Sequence, residues 1–245
     1  MTKPSTNKAK LLESLREFWG LISQIQKLTD VPYSRPNRRE RRKLATHKAL
    51  MDATLTLLSS RSIDAVTVDD IAMQADVAKG TFYNYFQDKD ALARELALTL
   101  RARVENAIAL TNEGVADPAE RIARALCCVV RYCQKAPEQA PAMARLFPHA
   151  TDPAAPINAG VRADVRAGRA QGRILTPSED VAIACIIGVF MAGVTRALEL
   201  SPRQAKTFVR DLGVILLHGL GVGRAQADRI MIEAVASVLS SSRNS

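Results

Sequence analysis

The sequence predicts an all-α protein, on three observations. Apolar residues recur at helical spacings of three and four along most of the chain. No alternating apolar–polar run bounded by turns marks a strand. Pro118, Pro137, Pro153, Pro177 and Pro202 divide the C-terminal part into segments of about 15–20 residues, and each proline lies near an expected helix start, where its missing N–H costs little. At 245 residues and 47% hydrophobic, the chain can bury a sizeable core.

The elements follow in order. Residues 1–10 are polar. Leu11, Leu15, Phe18, Ile22 and Ile25 then mark one face of an extra amphipathic helix over about 8–28. Glu13, Arg16 and Glu17 interrupt any signal-peptide core. "DVPYSRPN" is a linker. "RRERRKLATHKALMDATLTLLSS" opens on charge and continues as a helix with Leu50, Ala53 and Leu57 on one face. Thr67 and Asp70 form a capping-box variant that starts a short helix with Ile71, Ala72 and Ala75 as its apolar face. Ala75-Asp76-Val77 must turn, and aspartate tolerates the left-handed conformation better than most residues. A second short helix is expected from about Ala78 to Tyr85, with Phe82 and Phe86 on one face. A third starts after Asp88, with Leu92, Leu96 and Leu100 in one stripe. The apolar run around Ala182–Val194 reads as a buried helix, too short to span a bilayer.

Charge and composition narrow the function. The net charge is +9, and the window from Arg35 to Lys48 holds seven basic residues against one acidic, Glu40, which suits a polyanionic partner. Four cysteines, at 127, 128, 133 and 185, include no Cys-x-x-Cys pair, and the three histidines are scattered. No metal site can be written from that spacing, and no cofactor is expected. The cysteines read mostly as small core hydrophobes of a reduced, cytoplasmic protein. A thiol sensor would need an exposed thiol of low pKa near positive charge, and Arg131 and Lys135 lie near Cys128 and Cys133 in sequence. No nucleophile–base pair or phosphate loop is legible, so an enzyme is not expected.

The aromatic residues point further. Of six Phe, four Tyr and one Trp, four fall in one five-residue window: Phe82, Tyr83, Tyr85 and Phe86. With Val66-Thr67-Val68, Ile71-Ala72, Val77, Gly80-Thr81 and Lys89-Asp90-Ala91-Leu92, they make residues 44–95 resemble the TetR family of bacterial transcription regulators. The chain departs from the family pattern at Asp76, where glycine is frequent, and at Ala78, where serine or asparagine often caps the helix. A missing cap costs about 1 kcal/mol. The extra N-terminal helix is also outside the usual pattern.

Residues 1–37 are expected to form an N-terminal extension, and the resemblance implies a helix-turn-helix DNA-binding domain over 38–90 and a ligand-binding and dimerisation domain over 91–245. Phe82 and Phe86 are expected to pin the second helix. Tyr83 and Tyr85 are expected to bond phosphate oxygens through their hydroxyls. Gly80 and Thr81 let the helix start approach the duplex, Asn84 is suited to a base edge, and Thr67, Lys79 and Lys89 complete the DNA-facing set. Arg38, Arg39, Arg41 and Arg42 are expected to reach phosphates or the minor groove as an arm. The family also implies a homodimer on a palindromic operator. Gly188 and Ala192 on one helix, and Phe208, Leu212, Ile215 and Leu216 on the next, are the dimer candidates. Met143, Phe147, Phe190 and Met191 are the candidates for lining an effector pocket.

Two functions remain open at this point: a repressor released from double-stranded DNA by an unidentified small molecule, or a constitutive architectural DNA-binding protein. No membrane partner is expected. A cavity of several hundred cubic ångströms lined from residues 120–195 would favour the first.

Overall fold

In the computed structural model, which describes residues 37–137, 139–146 and 158–240, every regular element among the described residues is helical. The order is α1 (Arg38–Leu58), a 3₁₀ turn (Ile63–Ala65), α2 (Val68–Gln74), α3 (Lys79–Tyr83), α4 (Lys89–Thr111), α5 (Pro118–Lys135), α6 (Gln139–Leu146), α7 (Ala159–Ala170), α8 (Glu179–Leu198), α9 (Pro202–Gly219) and α10 (Arg224–Ala234), which ends in a π-helical turn over Val235–Leu239. The expected helix over 8–28 and its linker lie outside the described residues.

The chain divides into two compact units, residues 1–46 and 47–245. In the first, Asn37 caps the start of α1. Its Oδ1 accepts from the Glu40 N–H at 2.9 Å, and Glu40 Oε2 accepts from the Asn37 N–H at 2.8 Å. The basic run is therefore regular helix from Arg38 onward, where the sequence suggested an arm. Arg38, Arg39, Arg41 and Arg42 are all exposed on it.

The second unit holds two hydrophobic cores. The N-terminal one gathers Leu50 and Leu58 of α1, Ile71 of α2, Phe82 and Phe86, and Leu92, Leu96 and Leu100 of α4. Ala142 of α6 is also fully buried in it. The C-terminal core is built from α5 and α7–α10, with Leu126, Ile183, Ile186, Val209 and Leu217 at its centre. The expected stripe Leu92–Leu96–Leu100 is thus buried in the first core.

Helix α8 is long and apolar enough, by length and composition, to cross a membrane. That corrects the expectation that the run was too short. Its stripe of Ala182, Ile183, Ile186, Phe190, Gly193 and Ala197 is buried in the C-terminal core. At Gly193 an added Cβ would stand 3.0 Å from Leu212 Cδ2 of α9, so the small residue sets how closely these two helices approach.

Charged clasps fix the ends of this bundle. Asp117 caps α5 by accepting from the Ala119 N–H at 2.9 Å, and its Oδ2 accepts from Arg173 Nη2 at 2.7 Å. Arg173 Nη1 then donates to Gln226 of α10 at 2.7 Å. The Arg173 guanidinium holds the Asp117 carboxyl below its ordinary value of 3.8, against a smaller opposing effect of burial. A depressed folded-state pKa gives stability that is complete above the unfolded value and lost as pH falls through the folded one. The variant Asp117→Asn keeps a capping side chain but not the charge. We expect its melting temperature to lie below wild type near neutral pH, with the gap closing as pH falls below about 4. A gap that stays constant across that window would show that the charge of Asp117 is not what holds the clasp.

Candidate nucleic-acid interface and cavity

The α2–turn–α3 segment is built by local chemistry. Thr67 caps α2, its Oγ1 accepting from the Asp70 N–H at 3.1 Å, while Asp70 Oδ2 accepts from the Thr67 N–H at 3.0 Å. These bonds, with Arg61 3.1 Å away, hold the Asp70 carboxyl below its usual range. At the other end of α2, Asp76 takes φ of 53°. The Asp76 N–H donates to Met73 O at 3.2 Å and the Val77 N–H to Ala72 O at 3.0 Å, the paired bonds of a Schellman turn. The sequence singled out this aspartate for a left-handed turn, and the structure has it there. Ala78 begins α3 with no side-chain cap, also as read from the sequence.

Helix α3 has five residues and is held by what it buries. Phe82 is wholly buried, and its ring lies 5.8 Å from that of Phe86. Removing a buried phenylalanine ring costs about 3–5 kcal/mol, more than the roughly 1 kcal/mol a missing cap costs. The outward side of α3 carries Lys79, Gly80, Tyr83 and Asn84, all exposed, with Thr81 half-buried. Tyr83 is 53% exposed, and its ring stands edge-on to that of Phe82. Lys79 also reaches Asp69 at 2.9 Å, a surface pair that solvent screens. A Cβ added at Gly80 would meet nothing, so the packing of this chain does not require glycine there.

Two residues of the expected DNA-facing set sit differently. Tyr85 is half-buried against the N-terminal core, near His47. Lys89 does not face outward to phosphate. Its ammonium donates to Ile63 O at 2.9 Å, Val66 O at 3.0 Å and Asp64 O at 3.2 Å. An ammonium has three hydrogens, and these carbonyls use them all. The residue therefore ties the first turn of α4 to the α1–α2 connector.

The remaining candidates fall on α8 and α9 or near α6. Among the described residues, a cavity of about 460 Å³ is lined by Val129, Cys133, Ala140, Pro141, Arg145, Phe190, Met191, Val194, Thr195 and Leu198. Phe190 and Met191 stand together on its wall; Phe147 and the Met143 side chain lie outside the described residues. Arg145 is a cavity residue that the sequence pattern does not signal. Its Nη1 donates to Leu58 O at 2.7 Å and Ser59 O at 3.0 Å, carbonyls at the C-terminal end of α1. On α8 and α9, Ala192 and Ile215 are exposed, and Gly188, Phe208 and Leu212 are half-buried. Leu216 corrects its expected surface role: it is only 2% exposed, because position 216 lies on the inward flank of its stripe, beside Leu217.

The buried thiols do not suit redox sensing. Burial pushes Cys127 up to about 12 and Cys133 up to about 11, so neither is a thiolate near neutral pH. Arg131, near Cys128 and Cys133 in sequence, instead donates to Val238 O at 3.0 Å. Cys185 is exposed.

Residues 50–96 match the model of bacterial regulatory proteins of the tetR family. Over 106 residues the chain is 36% identical to the HTH-type transcriptional repressor KstR of Rhodococcus jostii (strain RHA1), a match covering 41% of this chain. The chain thereby spans 46% of that protein's length, under half of it. In structure it is similar to RolR solved in complex with resorcinol, with a TM-score of 0.51 and 25% identity over 79% of this chain and 96% of that one. It also shares its fold with a TetR family transcription regulator from Marinobacter aquaeolei VT8, with a TM-score of 0.57 and 17% identity over 81% of this chain and 97% of that one.

Lys89 supplies a test of the interface's support. Lys89→Met keeps the aliphatic stem and removes the ammonium donor from three carbonyls, of which Ile63 O still accepts from the Val66 N–H at 3.2 Å. We expect a loss of about 1–3 kcal/mol of stability in urea unfolding. Unchanged stability together with weakened DNA binding would return Lys89 to the role of a phosphate ligand.

Proposed function

We propose that the chain, whose residues 50–96 match the tetR family of bacterial regulatory proteins, is a transcriptional repressor of that family which binds a palindromic operator as a homodimer and leaves it when a small molecule fills the cavity. The observation that carries the reading is the outward side of α3. Its buried face is fully used by Phe82, while Lys79, Gly80, Tyr83 and Asn84 face solvent on a short, pinned helix. Such a helix fits the major groove, with Asn84 at base edges and Tyr83 on phosphate. Thr67 and Thr81 flank it with further hydroxyls.

The cavity supports an effector-controlled protein over a constitutive one: it opens to solvent past the exposed Arg145, Met191 and Thr195, and its volume of about 460 Å³ lies within the size range of small-molecule sites. RolR, solved with resorcinol, is a structural relative that holds a small ligand. The dimer would be formed by α8 and α9. Only 33% of the most apolar window of α8 is buried within the chain, and Val181 and Ile215 are among the exposed apolar residues of these helices. A second copy would cover that surface across Gly188, Ala192, Phe208, Leu212 and Ile215. Two-fold symmetry then sets two α3 helices about 34–36 Å apart, one turn of duplex. Release follows if the ligand shifts α4, whose stripe Leu92–Leu96–Leu100 shares the core beneath α3.

Gly80 gives the direct test. Glycine inside a helix costs about 0.5–1 kcal/mol relative to alanine, so Gly80→Ala should stabilise the free protein. It should also weaken binding to DNA selected from a random pool, because the added methyl stands where the duplex approaches. Stabilisation without any loss of DNA affinity would remove α3 from the interface. A second test concerns the basic turns of α1. Replacing Arg38, Arg39, Arg41 and Arg42 with Gln should flatten the dependence of log K on log salt by about 0.9 for each phosphate that is no longer neutralised. An unchanged slope would make those residues a solvated surface.

A further inference from the structure

We propose that the effector is an apolar monocarboxylate and that Arg145 both recognises it and transmits its arrival to the DNA-binding helices. The proposal deepens the effector-controlled reading above and rests on it. Among the described residues, Arg145 is the single charged one in the lining of the cavity; Val129, Phe190, Met191, Val194 and Leu198 supply apolar walls. The Thr195 hydroxyl donates to its own helix, to Met191 O at 3.0 Å, so it can only accept from a ligand. A ligand that fills this space therefore meets an apolar body site and one cation.

The same guanidinium has a second task. Its Nη1 donates to Leu58 O and Ser59 O, where α1 ends. The last turn of α1 has no basic residue of its own, so Arg145 supplies the positive charge that a helix C-terminus favours. Its neighbour on α6, Ala142, is fully buried in the core that seats α3. One side chain thus links the cavity wall to the end of the helix whose Leu50 and Leu58 pack in the core beneath Phe82.

Arg145 is exposed, so a carboxylate is held at the solvent-facing edge of the cavity while its apolar body lies along the inner wall. The guanidinium is the partner at hand. The bonds of a guanidinium to carbonyls are already charge-assisted, but a carboxylate adds an opposite charge and matches the planar fork bidentately. The carboxylate bonds Nε and Nη2, which the two carbonyls do not use, and draws the whole guanidinium toward the cavity; Nη1 then leaves the Leu58 and Ser59 carbonyls, which loosens the seat of α3. A neutral ligand of the same shape fills the cavity but leaves Arg145 on α1. The discriminating chemistry is the charge, with size and apolarity setting only the body of the ligand.

The experiment titrates decanoate and 4-phenylbutyrate, and the primary amide of each, into the full chain by calorimetry, with and without DNA selected from a random pool. We expect at least one acid to bind about tenfold or more tightly than its amide, and to weaken DNA binding by the same factor by which DNA weakens its own binding, about 5–150-fold. Arg145→Gln should bring the acid-to-amide ratio near one, while Arg145→Lys, which keeps the charge, should retain a preference for acids. A purely architectural Arg145 would lower the melting temperature of both variants and leave the ratio unchanged. If Arg145→Gln does not fold, the wild-type comparison of acid with amide and the Arg145→Lys variant still decide. Equal binding of acid and amide, no binding of either, an unchanged ratio in Arg145→Gln, or an acid that binds without weakening DNA binding each overturns the proposal. Failure of the unliganded chain to bind any DNA overturns the regulator reading instead.

Discussion

A helix of five residues has hardly enough internal hydrogen bonds to offset the cost of nucleating it. That constraint governs α3 and, through it, the N-terminal core. Having no cap at Ala78, α3 depends on tertiary support: the wholly buried ring of Phe82, the Schellman turn at Asp76 that delivers the chain at the right angle, and the α4 turn clamped by Lys89 just beyond. Local propensity contributes little here; packing and carbonyl capture contribute most. Such a helix is rigid only while the core beneath it is intact, which makes its presentation sensitive to whatever shifts that core.

The elements able to do so are α4 and α6. Helix α4 has 23 residues and enters both cores of the second unit. Near its start Leu92, Leu96 and Leu100 are buried beneath α3; at its far end Asn112 Nδ2 donates to Arg121 O at 3.1 Å and Thr111 Oγ1 to Cys128 Sγ at 3.3 Å on α5. Helix α6 is short but sits at the junction, with Ala142 in one core and Pro141 and Arg145 on the cavity wall. Close-packed interiors respond to displacement by repacking between discrete arrangements, because there is no free volume to absorb small shifts. Two helices that each touch both regions are enough to make such a response mutual.

Much of this was legible in the chain because it is local. The Thr67–Asp70 box, the Asp76 turn, the bare Ala78 and the Phe82–Phe86 pair each depend on residues within four positions of one another. What was not legible depends on the path of the backbone. Lys89 follows an aromatic motif and reads as a phosphate ligand, yet its ammonium is captured by carbonyls 23–26 residues earlier. Arg145 bonds carbonyls 86 and 87 residues away, and no periodicity in α6 signals it. Leu216 failed for a geometric reason: a stripe at 208, 212, 215 and 216 is wide enough for one flank to face solvent and the other the core. Charge alone did not decide whether Arg38–Arg42 would be extended or helical; Asn37 and Glu40, three residues apart, held the helical signal.

The partly covered state of α8 also bears on how the chain is made. This helix has a mean hydropathy of 2.1 in its most apolar window, and until it is covered that surface is open to other apolar partners. Of the helices packed against it, α5, α6 and α7 precede it and α9 follows it. During synthesis at about 5–20 residues per second, α8 therefore leaves the ribosome on the order of seconds before α9 can cover it. Glu179 and Asp180 at its start and Arg196 in its last turn are the charges that keep the emerging segment from being uniformly apolar. Glu179 also holds Arg166 of α7 at 2.8 Å, so the charge that marks the start of α8 for solvent is the one that ties it to its neighbour in the finished fold.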